Sequence, residues 1–135
     1  MIMELEILKI ASNTTNLKKM DIYTHKSEKK NPMCGDVVAI EINVKKNKIQ
    51  DIGYKSKSCI YCQASASLLS KILINQELRK TGLILKSIKS FYNDKNYIIE
   101  GKLKKIFNKK NYKRKECIYL PVRAISDALK FDFSR

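Results

Sequence analysis

The sequence has no tryptophan, one histidine, two prolines and four glycines. No apolar run approaches the roughly 18 residues that a membrane-spanning helix requires, so we expect no membrane association. Residues 1–6 carry acidic side chains where a secretion signal would carry basic ones, and we therefore expect a cytoplasmic protein. In a reducing compartment, the four cysteines are more often metal ligands or nucleophiles than disulfide partners.

Acidic residues are scarce: 13 stand against 28 basic residues, which gives a net charge of +15. Such a charge permits nucleic-acid binding or an acidic protein partner. The lysines are spread along the whole chain, however, and we find neither an RNA-binding motif nor an aromatic-rich basic strand. This distribution favours a lysine-rich surface that reflects compositional bias, and we do not expect a nucleic-acid partner.

The length of 135 residues and the apolar fraction of 44% indicate one globular domain. We find no internal repeat, linker or low-complexity tail. We expect residues 1–135 to form a single domain. Within it, 1–30 supply an N-terminal helix and a polar loop, and 31–130 form a core that carries the motifs.

The first half of this chain predicts one helix and a small sheet. Residues 2–11 suit an amphipathic helix, and 12–30 are polar and weakly patterned. Beyond the turn signal at Asn31-Pro32, alternating apolar residues predict a strand, a hairpin turn at 45–48 and a return strand. The three predicted strands cover residues 37–44, 49–54 and 55–58. Cys34 and Cys59 each adjoin a sheet end, so three antiparallel strands would bring them close together.

The second half reads as helical. A stripe of apolar residues follows Cys62 up to a break at Asn75. Two more helices are predicted over 76–92 and 98–107, and a last helix begins near Cys117 with Pro121 in its first turn. The resulting fold class is α+β: a small three-stranded antiparallel sheet with helices packed on one face.

The four cysteines are the candidate chemical centre. Cys59 and Cys62 form a close pair, whereas Cys34 and Cys117 stand alone, so the spacing is not that of a zinc ribbon. Because most of them lie at predicted element junctions, we expect the fold to bring these thiols into one metal or sulfur-handling site. Cysteines that are simply buried in the core remain the alternative.

Charged neighbours accompany the two lone cysteines. Asp36 and Glu116 offer carboxylates that would complete or loosen a tetrahedral zinc site. Arg114 and Lys115 would lower the pKa of a nearby thiol and so favour the nucleophilic thiolate. His25 lies among lysines without any ligand-like spacing, and surface is its simplest interpretation.

Three motifs together resemble the IscU/SufU/NifU-N family of iron–sulfur cluster assembly proteins, with a SufE/NifU-like architecture. They are Asn-Pro-Met-Cys-Gly-Asp at 31–36, Cys59 with Cys-Gln-Ala-Ser-Ala-Ser at 62–67, and Lys-Glu-Cys at 115–117. The resemblance covers about residues 30–130. It is closest to the SufU branch, because there is room for an inserted segment at roughly 92–113 and Glu116 stands where the IscU branch has histidine.

The resemblance implies a metal-binding set of Cys34, Asp36, Cys59 and Cys117, with zinc bound at rest. It also implies a pyridoxal-phosphate-dependent cysteine desulfurase (SufS/NifS/IscS-like) as partner and apo iron–sulfur proteins as clients. Cys117 is then the candidate acceptor of persulfide sulfur. Such a chain would be a sulfur-transfer accessory protein or scaffold rather than a stand-alone enzyme. One alternative is an IscU-like scaffold that assembles a [2Fe–2S] cluster on the same cysteines, and a distant one is a basic, zinc-stabilised nucleic-acid-binding module.

Two features depart from the family pattern. Cys62 is not a family cysteine position; it is an auxiliary candidate together with Glu116 and Arg114, and a buried small residue is its favoured role. Residues 12–30 also lack the usual family motifs, so desulfurase docking need not follow the family mode.

Overall fold

The computed structural model of the chain describes residues 2–131, with side chains from residue 5 onward. Within these residues, four α-helices, three strands and two short 3-10 helices follow one another. The helices are α1 (Ile2–Ala11), α2 (Ile60–Leu73), α3 (Leu78–Asn93) and α4 (Lys115–Ala128). The strands are β1 (His25–Lys30), β2 (Val37–Lys45) and β3 (Lys48–Lys57). The 3-10 helices are Gly101–Lys105 and Lys109–Arg114. No helix in this described part is long and apolar enough to cross a membrane.

The strands form one antiparallel sheet in the order β1-β2-β3. The alternation predicted for β2 is observed, because Val38, Ile40 and Ile42 are buried on one face against the helices. This confirms the α+β fold with a three-stranded antiparallel sheet. Val37 pairs with both Lys30 and Lys57, so each of the three strands has a terminus at the same end of the sheet. The loop that carries Cys34 and the start of α2 therefore meet there, as the sequence predicted.

The third strand is not the one that was predicted. Residues 55–57 continue β3, and the third strand is β1, which lies in the segment expected to be a polar loop. Its alternate residues are only half-buried, so no apolar periodicity marks it. Lysine-rich sequences are typical of edge strands, where charge blocks pairing with other chains. Ser27 donates a hydrogen bond to the Asp127 carboxylate (3.0 Å), which ties β1 to α4.

The helical predictions hold with two corrections. Asn75 has a φ of 75° and ends the α2 segment as predicted. The helix expected over 98–107 is wrong: only a 3-10 helix forms there, and Gly101 precedes its other residues with a φ of 77°. Pro121 lies inside α4 rather than in its first turn, because α4 begins earlier, at Lys115. Since proline lacks an N–H, the Cys117 carbonyl has no helical donor from that position.

The buried helix α2 connects the elements around the sheet end. Its Ala-Ser-Ala-Ser segment is buried throughout. Ser65 donates to the Ile118 carbonyl (2.6 Å), which joins α2 to the first turn of α4. Ser67 donates to the Asn13 carbonyl (2.8 Å), which joins α2 to the chain after α1. These bonds satisfy polar groups in the core, and the Ser65 bond holds α2, which begins beside Cys59, against the first turn of α4, which carries Cys117.

Candidate metal centre

The loop between β1 and β2 presents the first two candidate ligands. The Asn31 carbonyl accepts a hydrogen bond from the Gly35 amide (2.7 Å), and the Asn31 amide donates to the Asp36 carbonyl (2.8 Å). Gly35 has a φ of 80°, a conformation that residues with a side chain rarely adopt. This tight turn leaves Cys34 exposed at its tip and returns Asp36 to a buried position just before β2.

The fold brings three candidate ligands together. The sulfurs of Cys34 and Cys117 and a carboxylate oxygen of Asp36 all lie within 4.8 Å of one another. Among the described residues this is the one group of this kind. The spacing suits donors around a single cation, because zinc–sulfur and zinc–oxygen bonds are about 2.0 to 2.3 Å long. The first turn of α4 supplies Cys117, so the centre joins residues that are far apart in sequence.

Asp36 shows that these residues fit a cation. Its Oδ2 atom is buried and has no hydrogen-bond partner among the described residues. A buried polar atom without a partner costs about 1 to 3 kcal/mol. A metal ion bonded to this oxygen and to the two neighbouring sulfurs would remove that cost. Two thiols and a carboxylate are a donor set that zinc accepts.

Cys59 stands at the edge of this group. It is the N-cap residue of α2 and is partly buried. Its sulfur is within hydrogen-bonding reach of Cys117, yet Cys59 is not a member of the mutually close group. Cys59 therefore lies next to the group as a candidate fourth donor.

The surroundings of Cys117 raise its pKa to about 12. Burial is the largest cause, followed by the hydrogen bond with Cys59 and by the charges of Cys59, Asp36 and Cys34. This is the opposite of the depressed pKa expected from Arg114 and Lys115. The Arg114 guanidinium lies over the Tyr61 ring at 5.1 Å, and the Lys115 ammonium lies over the ring of Tyr92 at 4.7 Å. The metal-free centre therefore holds Cys117 as a protonated thiol.

Cys62 lies in the core beside the centre rather than at its surface. It is fully buried, with an exposed fraction of 0%. Burial raises its pKa to about 12; the nearby Ser58 side chain opposes that shift, and the charges of Cys59, Asp36 and Cys117 add to it. The sulfur is thus close enough to feel the candidate ligands but is not one of the mutually close group.

Glu116 belongs to a different cluster. Its carboxylate accepts a hydrogen bond from the Tyr92 hydroxyl (2.6 Å), and Arg123 lies 3.9 Å from its other oxygen. The rings of Tyr92 and Tyr119 stack with centroids 4.4 Å apart, and the Arg123 guanidinium lies over both rings. Sequence reasoning missed this cluster, although Glu116, Tyr119 and Arg123 have the spacing of one helical face.

His25 is distant from the centre. It begins β1, and its Nδ1 atom lies 2.7 Å from the Thr24 hydroxyl. The Cys34 loop follows the other end of the same strand, about 16 Å away at the usual rise per residue. A histidine ligand from this position is not available.

Two known proteins are similar in sequence to this chain over most of its length. The chain is 29% identical over 128 residues to the iron–sulfur cluster assembly scaffold protein IscU of Thermotoga maritima, an alignment that covers 92% of this chain and 89% of that protein. It is 26% identical over 127 residues to an uncharacterized protein of Borreliella burgdorferi, with coverages of 93% and 87%.

Solved structures agree on the fold. A crystal structure described as a SUF-system iron–sulfur cluster assembly scaffold protein of Fervidobacterium islandicum matches with a TM-score of 0.83 at 23% identity, over 92% of this chain and 93% of that one. The N-terminal part of a NifU-like protein from Brucella abortus matches with a TM-score of 0.82 at 18% identity, over 93% and 90%. The family predicted from the cysteine motifs is confirmed. Because the sequence model of the NifU-like N terminal domain matches residues 4–130, the chain belongs to that family.

Proposed function

We propose that this protein takes part in iron–sulfur cluster assembly as a SufU-like, zinc-binding sulfur acceptor. The single observation that carries the proposal is the convergence of Cys34, Asp36 and Cys117 around a buried carboxylate oxygen without a partner. Membership of the NifU-like family and the names of the relatives support the pathway. The proposed donor is a pyridoxal-phosphate-dependent cysteine desulfurase in the cytoplasm, and the clients are apo iron–sulfur proteins. We propose that residues 1–135 act as one domain.

Zinc would be held by Cys34, Asp36 and Cys117, with Cys59 as the fourth ligand. When bound, it keeps its thiol ligands deprotonated at neutral pH. Without a cation, the raised pKa of Cys117 keeps it as a protonated thiol at neutral pH. Asp36 is the hard oxygen donor in a set of soft sulfurs, and zinc exchanges such a ligand more readily than a thiolate.

The transfer itself is a thiol–persulfide exchange. The Cys117 sulfur attacks the terminal sulfur of the desulfurase persulfide, and a new sulfur–sulfur bond forms as the old one breaks. The electron pair of the broken bond stays on the desulfurase cysteine, which leaves as a thiolate, so the negative charge passes from the Cys117 thiolate to that cysteine. No net oxidation occurs, so the step needs no further reagent. Cys117 lies in the first turn of α4 and is partly exposed, so a partner sulfur can reach it.

Desulfurase turnover tests this function. Alanine formation from cysteine is measured with the desulfurase alone, with the wild-type protein, and with Cys117→Ala. We expect stimulation by the wild type and none by Cys117→Ala. Cys62→Ala is the matched control, because it removes a buried cysteine outside the ligand set. The proposal fails if the wild type gives no stimulation, or if Cys117→Ala stimulates as strongly as Cys62→Ala.

A second candidate is a scaffold that assembles a [2Fe–2S] cluster as its cargo on the same residues. The name of the Thermotoga maritima relative favours it, and thiolates bind iron as well as zinc. Anaerobic reconstitution with iron and sulfide discriminates the two. A cluster with visible absorbance that transfers to an apo-ferredoxin supports the scaffold. Zinc that stays bound under the same treatment supports the sulfur acceptor.

A further inference from the structure

An open groove of about 660 Å³ lies between α1 and the segment that joins α3 to α4. Glu6 lines it from α1, and the other lining residues fall between 95 and 110. This is the part of the chain where the sequence indicated an inserted segment, and the candidate metal centre uses none of it. The inserted segment is therefore an ordered wall of a groove.

The groove is strongly basic. Its walls carry Lys95, Lys104, Lys105, Lys109 and Lys110, all of them exposed, against a single acid, Glu6. The whole chain has 28 basic and 13 acidic residues, so the ratio at the groove is more than twice the average. Among the described residues none of these lysines forms a salt bridge. The net charge of +4 from these five lysines and Glu6 favours an anionic occupant.

The groove also carries exposed apolar surface. Ile98 is 67% exposed and Tyr97 is 41% exposed, while Ile99 and Phe107 close the floor as buried residues. Burying such apolar side chains against a partner would favour binding. An apolar anchor within a ring of charge is the usual anatomy of a protein-binding surface.

We propose that this groove binds an acidic segment of a partner protein, in which carboxylates flank one or two apolar side chains. Single-stranded nucleic acid fits less well, because it binds through aromatic faces on which successive bases stack, whereas the most exposed apolar side chain here is the aliphatic Ile98. The inference goes beyond the proposed sulfur transfer, since the groove and the metal centre share no residue. The inserted segment then gives the protein a second recognition surface.

The test is fluorescence anisotropy of a labelled twelve-residue peptide with Asp and Glu around central Leu and Phe. Two further peptides replace either the acids with Asn and Gln or the apolar residues with Ser, and a labelled twelve-nucleotide polyuridine is titrated in parallel. The groove variants are Ile98→Asp and the pair Lys104→Glu with Lys105→Glu. The charge-matched control is Lys45→Glu with Lys48→Glu, at the exposed β2–β3 turn. Circular dichroism verifies that each variant is folded.

We expect saturable binding of the first peptide, weakened at least about tenfold by either groove variant and by higher salt, and unchanged in the control. Both altered peptides should bind more weakly. Cys117→Ala should bind like the wild type, so this result stands apart from the outcome of the desulfurase assay. The proposal is overturned by an absence of saturable binding up to about 1 mM. Equal weakening by the control pair, or polyuridine binding that is tighter and lost in the same groove variants, would also overturn it.

Discussion

Replacing Asp36 with alanine tests whether this residue is a metal ligand or only a structural residue. The Asp36 Oδ2 atom is buried without a hydrogen-bond partner, so its desolvation is uncompensated in the metal-free protein. Removing such an atom relieves about 1 to 3 kcal/mol, part of which is lost again to the small cavity left behind. We therefore expect the free energy of unfolding of metal-free Asp36→Ala to equal or exceed that of the wild type.

With zinc the expectation reverses. Loss of even a supporting group lowers metal affinity 10- to 100-fold, so loss of a direct ligand should lower it by at least about 100-fold. At saturating zinc that factor removes about 2.7 kcal/mol of the stabilisation that zinc gives the wild type. One substitution should thus leave the metal-free protein intact or stabilised and make the zinc-loaded protein less stable.

Urea unfolding with and without excess zinc measures the stability of the metal-free protein and of the zinc-loaded protein. Titration against a chelator gives the zinc affinity directly. Asp51→Ala is the matched control, because Asp51 forms a partly exposed salt bridge with Lys18 at 2.8 Å. Asp51→Ala should lower the free energy of unfolding by about 0 to 1 kcal/mol and leave the stabilisation by zinc unchanged. If metal-free Asp36→Ala loses more than about 1 kcal/mol and its zinc increment stays intact, Asp36 is a structural residue and the ligand assignment is wrong.

Three further predictions concern the thiols and the backbone. At pH 8, iodoacetamide should modify the exposed Cys34 first and Cys62 only after unfolding, because Cys62 is fully buried and its pKa is raised to about 12. Peptide mass spectrometry identifies the modified cysteines. The folded protein holds the Cys62 proton more tightly than the unfolded chain does, and this difference stabilises the fold. The stabilisation is complete below pH 9 and is lost as pH rises towards 12. Cys62→Ala should flatten that fall in thermal melts of the metal-free protein, and an unchanged slope would contradict it. Gly53→Ala should lower the free energy of unfolding by about 1 to 3 kcal/mol, because a Cβ would lie 2.7 Å from the Lys18 carbonyl oxygen. Gly82→Ala, inside α3, should instead raise it by up to about 1 kcal/mol. Equal effects of the two substitutions in urea unfolding would refute this prediction.

Local patterns predicted most of the fold. The alternation of Val38, Ile40 and Ile42 gave the central strand, because side chains on a strand point to opposite faces at every step. The turn at Asn31-Pro32 and the break at Asn75 followed from residues that favour turns and positive φ. β1 was missed, since its half-buried positions carry histidine, serine and lysine rather than apolar residues. The segment 98–107 was assigned too much helix, since apolar spacing alone does not distinguish an α-helix from a 3-10 helix beside Gly101.

The candidate site was likewise predicted in part from the sequence. The motifs named Cys34, Asp36, Cys59 and Cys117, and the first, second and fourth of these converge as a close group. No sequence pattern indicated that Glu116 accepts a hydrogen bond from Tyr92, because that contact joins two helices. It also suggested the wrong direction for the pKa of Cys117, since sequence neighbours reveal nearby cations but not burial.

By itself, then, the sequence determined which donor groups exist, in what order, and which elements carry them, because composition and periodicity are local properties. Only the tertiary structure decided that Val37 pairs with both Lys30 and Lys57, which sets the Cys34 loop beside the start of α2. It alone left an Asp36 oxygen buried without a partner and turned the inserted segment into a basic groove. Register and burial depend on contacts between distant residues, and those are fixed when the chain packs rather than by any short stretch of it.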